Sequence, residues 1–201
     1  MKISIKIIVF NAFLAIFSLS SCGGLTSSDT PANQTWWLLP YTGTVREAVP
    51  ETAPLVTLSV SVVPGLDNNR IQTLSADAEL NQYTAARWAD NLPELVASLV
   101  GRTLESSGRF EVAPERVRAA SEECELQLEV REFFAERGGD GRTSGVRVAM
   151  SGRYQCEPGE AVPIRLSASV PVHDERMSVI VAAFQQALDS AMKELLENLS
   201  Q

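Results

Sequence analysis

Two alternating stretches facing each other across a glycine-rich turn constrain this chain more than any other feature. In 124–130 the even positions are Cys124, Leu126, Leu128 and Val130, while Glu125, Gln127 and Glu129 between them are polar. A period of two is that of a strand with one buried face. Val146, Val148, Met150, Gly152, Tyr154 and Cys156 repeat the pattern, interleaved with Arg147, Ser151, Arg153 and Gln155. Gly138-Gly139-Asp140-Gly141 supplies a loop between them, so the pair predicts a hairpin. With that loop centred on Asp140, Cys124 falls opposite Cys156, both on the apolar face. Residues opposed in this way come close enough for a cross-strand disulfide closing about 33 residues. The alternative is two buried free thiols, which behave as small hydrophobes.

The other elements follow from the same kind of pattern. Trp36 to Pro40 reads as a short opening strand, and Leu55 to Val63 as a stronger one with Val56, Leu58, Val60 and Val62 on one side. Pro64-Gly65 ends it. Arg70–Leu74, Glu79–Trp88 and Arg109–Ala113 are weaker strand candidates, and Glu115–Glu123 a short helix. A helix starts at Asn91-Leu92-Pro93-Glu94, with Asn91 as cap, and buries Leu92, Leu95, Val96, Leu99 and Leu104. Ala161–Val172 adds a strand. A long helix runs from about Glu175 to Leu199 behind Asp174 as cap, with Met177, Ile180, Phe184, Leu188, Ala191 and Leu195 at helical spacing. The order is strands, helix, strands, helix. It predicts an α+β two-layer sandwich, with a mostly antiparallel sheet and two main helices packed on one face.

The N-terminus carries a different message. Lys2 and Lys6 precede an apolar run from Ile7 to Phe17, followed by Leu19-Ser20-Ser21-Cys22. That is the anatomy of a secretory signal, and the run is about 11 residues against the roughly 20 needed to span a bilayer. The last four residues resemble a bacterial lipobox: a leucyl residue, two small residues, then cysteine. The resemblance implies that residues 1–21 are removed. It also implies that Cys22 carries a thioether-linked diacylglycerol and an N-acyl chain, with no other cofactor. Residues 22–35 then form a lipidated cysteine and flexible tether, and 36–201 a single periplasmic domain. Gly23 is not the aspartate that resembles an inner-membrane retention signal, which points to the outer membrane of a Gram-negative cell.

Charge narrows the partners. Net charge is −8, and residues 1–21 contribute Lys2 and Lys6 but no acid, so the remainder is near −10. An acidic body argues against nucleic acid and leaves membrane attachment to the acyl chains. His173 is the only histidine, too little for a metal site or a catalytic triad. No nucleophile elbow, phosphate loop or dinucleotide fingerprint occurs, so the reading is non-enzymatic.

Several motifs then recur in a familiar order. They are the lipobox, Trp36-Trp37-Leu38, Pro64-Gly65-Leu66-Asp67 with Arg70-Ile71, Arg87-Trp88-Ala89 ahead of the helix, and Cys124-Glu125-Leu126 leading to Phe133-Phe134. Together the chain resembles the ABC-type transport auxiliary lipoproteins of the PqiC/YmbA type. That resemblance implies an outer-membrane subunit of a system moving lipids between the two envelope membranes. The implied partners are a periplasm-spanning MCE-domain protein and an inner-membrane permease or ABC transporter, and a homo-oligomeric ring would match a multimeric conduit. A lipoprotein that activates or scaffolds an envelope enzyme such as a cell-wall synthase, and a lipid carrier with its own cavity, are the competing readings. Arg87 and Trp88 are interface candidates because Arg and Trp are frequent hot spots, although Trp88 equally suits the core. Trp36 and Trp37, beside the tether, either meet lipid, line an assembly or pack as a sheet-edge strand.

Overall fold

The computed structural model describes residues 33–43, 53–113 and 123–200. The signal segment, Cys22, the tether before Asn33 and all of the short helix expected at Glu115–Glu123 except Glu123, which opens a strand, lie outside the described residues. Eight strands form one sheet: β1 Gln34–Trp36, β2 Leu55–Val62, β3 Arg70–Ser75, β4 Leu80–Trp88, β5 Glu111–Val112, β6 Glu123–Arg137, β7 Thr143–Cys156 and β8 Val162–Pro171. Two helices accompany them, α1 Leu92–Ser106 and α2 Met177–Asn198.

The expectation of a mostly antiparallel two-layer sandwich is corrected by this topology. The sheet is mixed, and four of its seven strand pairings are parallel: β1 with β4, β2 with β5, β2 with β6 and β3 with β6. The reason lies in β6, fifteen residues long. β2 pairs with its first half, Leu55 opposite Glu123 through Val62 opposite Val130. β3 then pairs with its second half, Gln72 opposite Phe134 through Ser75 opposite Arg137. The two strands lie end to end along one edge of β6, running its way, and the turn at Pro64–Asn69 carries the chain from one to the other. Parallel partners need a long return, here the passage through β4 and α1.

The opposite edge of β6 carries the hairpin. Cys124 pairs with Cys156, Leu126 with Tyr154, Leu128 with Gly152 and Val130 with Met150. A bulge between Val130 and Glu132 then shifts the register, so that Phe133 faces Val148. The extra residue on β6, Arg131, reverses which parity faces the core. Before it the even positions Leu126, Leu128 and Val130 are buried; after it Phe133 and Ala135 are. Phe133 thereby reaches Trp88 of β4, edge to face at 5.7 Å, and stacks on Phe184 of α2 at 5.1 Å. Trp88 also meets Phe184 edge to face at 5.1 Å. Such aromatic arrangements add to the burial of the rings themselves.

α1 lies against β2 and β5, and α2 against β7 and β8. Each sinks one apolar stripe into a single core: Leu95, Val96, Leu99 and Leu104 from α1, and Ile180, Phe184, Leu188 and Leu195 from α2. The two expected caps fare differently. Asn91 occupies the N-cap of α1, but its side chain makes no capping bond. Helix α2 begins two residues later than expected, with Arg176 at its N-cap, and the Asp174 carboxylate accepts from the Arg176 N–H at 2.8 Å instead. At the same end, the Tyr83 hydroxyl is 2.6 Å from that of Thr143, whose N–H donates to Glu175 at 2.6 Å. Among the described residues, β8 has β7 as its only strand neighbour. The Val172 N–H donates to the Ser144 carbonyl, so the even residues of β8 bond to β7. The main-chain groups of Arg165, Ser167 and Ser169 therefore point away from the sheet, between Pro163 and Pro171.

Candidate functional site

The sequence-derived candidates separate into two places. Cys124 and Cys156 are joined as a disulfide at the start of the hairpin, with 4.0 Å between their Cα atoms. It closes the end of β6–β7 beside Val56 of β2 and is remote from the other candidates in register.

The others meet around β1. This strand runs parallel to β4, which places Thr35 beside Arg87 and Trp36 beside Trp88. The two faces of the pair then have opposite fates. Trp88 is 1% exposed and fills the core, one of the two roles its sequence position allowed. Arg87 points outward, and its Nε donates to the Thr35 hydroxyl at 3.3 Å. Arg70 of β3 pairs directly with Arg87. Like charges facing each other repel, and Arg87 is exposed while Arg70 is partly so. Trp36 is half-buried, and its indole N–H has no acceptor among the described residues.

Beyond β1 the chain becomes a strap over the helices. Leu38 is 3% exposed, whereas Trp37 is 71% and Leu39 65% exposed. Gln185 of α2 accepts from the Leu39 N–H at 2.8 Å and donates to its carbonyl at 2.9 Å. Further on, the Tyr41 N–H donates to the Thr103 hydroxyl of α1, and the Ser106 hydroxyl donates to the Tyr41 carbonyl. The strap is thus fixed at both helices, and alternation turns Trp37 and Leu39 outward around the buried Leu38. Sequence reasoning singled out Trp37 but missed Leu39 and Gln185. The Trp37-Leu38-Leu39 alternation held a signal for Leu39; nothing in sequence ties it to Gln185, 146 positions away.

The second surface is the side of the sheet that no described helix covers. Ser59, Ser61, Gln127, Glu129, Arg153 and Arg165 border an open concavity of about 630 Å³. Arg131 and Glu129 form an ion pair of 3.0 Å there, and further along β6 Arg147 bridges Glu132 and Glu136 at 3.0 and 3.3 Å. These side chains are partly solvated, so the pairs add little stability. They make a polar surface suited to another protein's charged groups. No group of three or more His, Cys, Asp or Glu placed to hold a metal occurs among the described residues. Nor is any described helix long and apolar enough to cross a membrane.

Residues 38–195 match the ABC-type transport auxiliary lipoprotein component family. The chain belongs to this family. The matched span of the auxiliary lipoprotein covers α1, the strands from β2 to β8 and all but the last three residues of α2, and it begins just after the Trp36-Trp37 pair. Its fold is also that of a crystal structure of a protein from Xanthomonas campestris, at 21% identity and a TM-score of 0.67, over 81% of this chain and 92% of that one. A second crystal structure, of an uncharacterised protein, is similar at 14% identity and a TM-score of 0.64, over 84% and 98%. No curated protein matches the sequence of this lipoprotein at a significant level.

Proposed function

We propose that this chain is the outer-membrane subunit of an intermembrane lipid transport system, tied to the periplasmic leaflet by acyl chains on Cys22. Its membership of the transport auxiliary lipoprotein family, over residues 38–195, carries the reading. The lipobox Leu19-Ser20-Ser21-Cys22 supports the anchor, and Gly23 after it supports the outer membrane. In this reading the protein transforms no substrate. It seats an MCE-domain conduit, fed by an inner-membrane permease or ABC transporter, against the outer membrane. The polar sheet face with Arg131, Arg153 and Arg165 offers charge-bearing contacts for that partner.

The test is crosslinked pull-down of the native lipoprotein followed by mass spectrometry. Recovery of an MCE-domain protein is expected. Recovery of a cell-wall synthase, and never an MCE protein, would replace this function with that of an enzyme scaffold. Incorporation of labelled palmitate that disappears in Cys22→Ala tests the anchor separately.

A further inference from the structure

We propose that Trp37 and Leu39 enter the interfacial layer of the phospholipid membrane that holds Cys22, so that the strap docks the domain onto lipid. The inference rests on the anchor reading above.

Single exposed apolar residues are ordinary on protein surfaces. This pair is not of that kind. Trp37 and Leu39 are the most exposed of the large hydrophobic residues among those described, and they lie two positions apart on a segment fixed to both helices. With Leu38 buried between them, neither can turn inward without dislodging it. The domain holds both side chains out at a stated place.

That place lies close to the anchor in sequence. Trp37 is fifteen positions after Cys22. A relaxed chain of that length spans roughly 20 Å, and a stretched one about 50 Å. Among all surfaces available to Trp37, the bilayer therefore has the highest effective concentration. Tryptophan is also the side chain best suited to the boundary, with an apolar body and an N–H that stays hydrated.

Charge at this end offers no net attraction to an anionic surface. Arg70 and Arg87 pair across β3 and β4, but the Asp67–Asn69 turn is bonded against residues 88–92, which brings Asp67 and Asp90 to the same end, and Asp189 accepts from the Gln185 amide that also donates to Leu39. Docking is therefore carried by the apolar pair and depends only weakly on salt.

The experiment uses the lipidated full chain on vesicles of phosphatidylethanolamine and phosphatidylglycerol with brominated acyl chains. Flotation reads the anchor, and tryptophan quenching reads the docking. Comparison with Trp37→Phe isolates the Trp37 emission from that of Trp36 and Trp88. For floated protein, bromolipid should quench the Trp37 share and aqueous acrylamide should not. In unanchored Cys22→Ala protein without vesicles, acrylamide should quench it. Floated protein whose Trp37 stays open to acrylamide and untouched by bromolipid overturns the docking alone. Shielding from both quenchers also overturns it, and points to a protein covering the strap. Protein that does not float removes the anchor and this inference with it.

Discussion

Gln185 grips Leu39 on both sides of its residue, accepting from its N–H at 2.8 Å and donating to its carbonyl at 2.9 Å. These two bonds are what fix the outward strap to α2. Because they are solvent-exposed, Gln185→Ala should lower global stability by no more than about 1 kcal/mol. Local protection should fall further. Amide exchange at Leu39 is expected to accelerate about tenfold, the factor that about 1.4 kcal/mol represents. Unchanged exchange at Leu39 would show that the strap is held elsewhere.

Removal of the disulfide should be felt throughout. Cys124 and Cys156 close a loop with a sequence separation of 32. In the chain-entropy account such a loop contributes about 3–4 kcal/mol by restricting the unfolded chain. The double variant Cys124→Ala/Cys156→Ala should show that loss in urea unfolding, with the β6–β7 register intact. A midpoint equal to wild type would remove the bridge from the stability argument.

Gly152 sits where a Cβ would lie 1.9 Å from the Gln127 carbonyl oxygen and 3.0 Å from the Leu128 Cα, both main-chain atoms of the pairing strand. The obstruction is backbone, so no rotamer change relieves it. Gly152→Ala should cost at least about 2 kcal/mol, in the upper range for single substitutions. A change within about 0.5 kcal/mol in chemical denaturation would contradict this close approach.

Burial is the main cause raising the Tyr83 phenol above its ordinary pKa of 10.0. The sign follows directly. The folded protein resists ionisation that the unfolded chain permits, so this contribution is complete below about pH 10 and is lost as pH rises through the folded value. Burial raises Tyr154 in the same direction. Thermal melts between pH 9 and 11 should therefore fall in wild type, and fall less steeply in Tyr83→Phe. Parallel curves would exclude Tyr83 as a contributor.

How much of this was legible in the sequence depends on the kind of interaction. Period-two patterning gave β6, β7 and their register, because the pleat writes itself into alternate residues. It could not give the direction of β2 relative to β6, since Val56 and Leu58 alternate identically in parallel and antiparallel pairs. The Arg131 bulge was invisible for a related reason: one inserted residue reverses parity without any compositional mark, so the burial of Phe133 had to be seen. Trp88 shows the limit for sites. An Arg-Trp pair on a strand presents one side chain to each face, and only the packing of Phe133 and Phe184 decides which is inside. Capping failed at Asp174 because its carboxylate was taken by Arg176, whose main-chain and guanidinium bonds also hold it below the usual aspartate range.

Pro163 and Pro171 bracket the edge of β8 that no described strand pairs with, leaving outward N–H groups only at Arg165, Ser167 and Ser169 between them. Proteins confined to a membrane plane collide often and at fixed height, conditions under which an open sheet margin would zip neighbouring molecules into filaments. A margin interrupted at both ends, with a guanidinium in the gap, stops that growth after three rungs. If the domain is anchored as proposed, so short a margin disfavours edge-to-edge pairing between neighbouring copies.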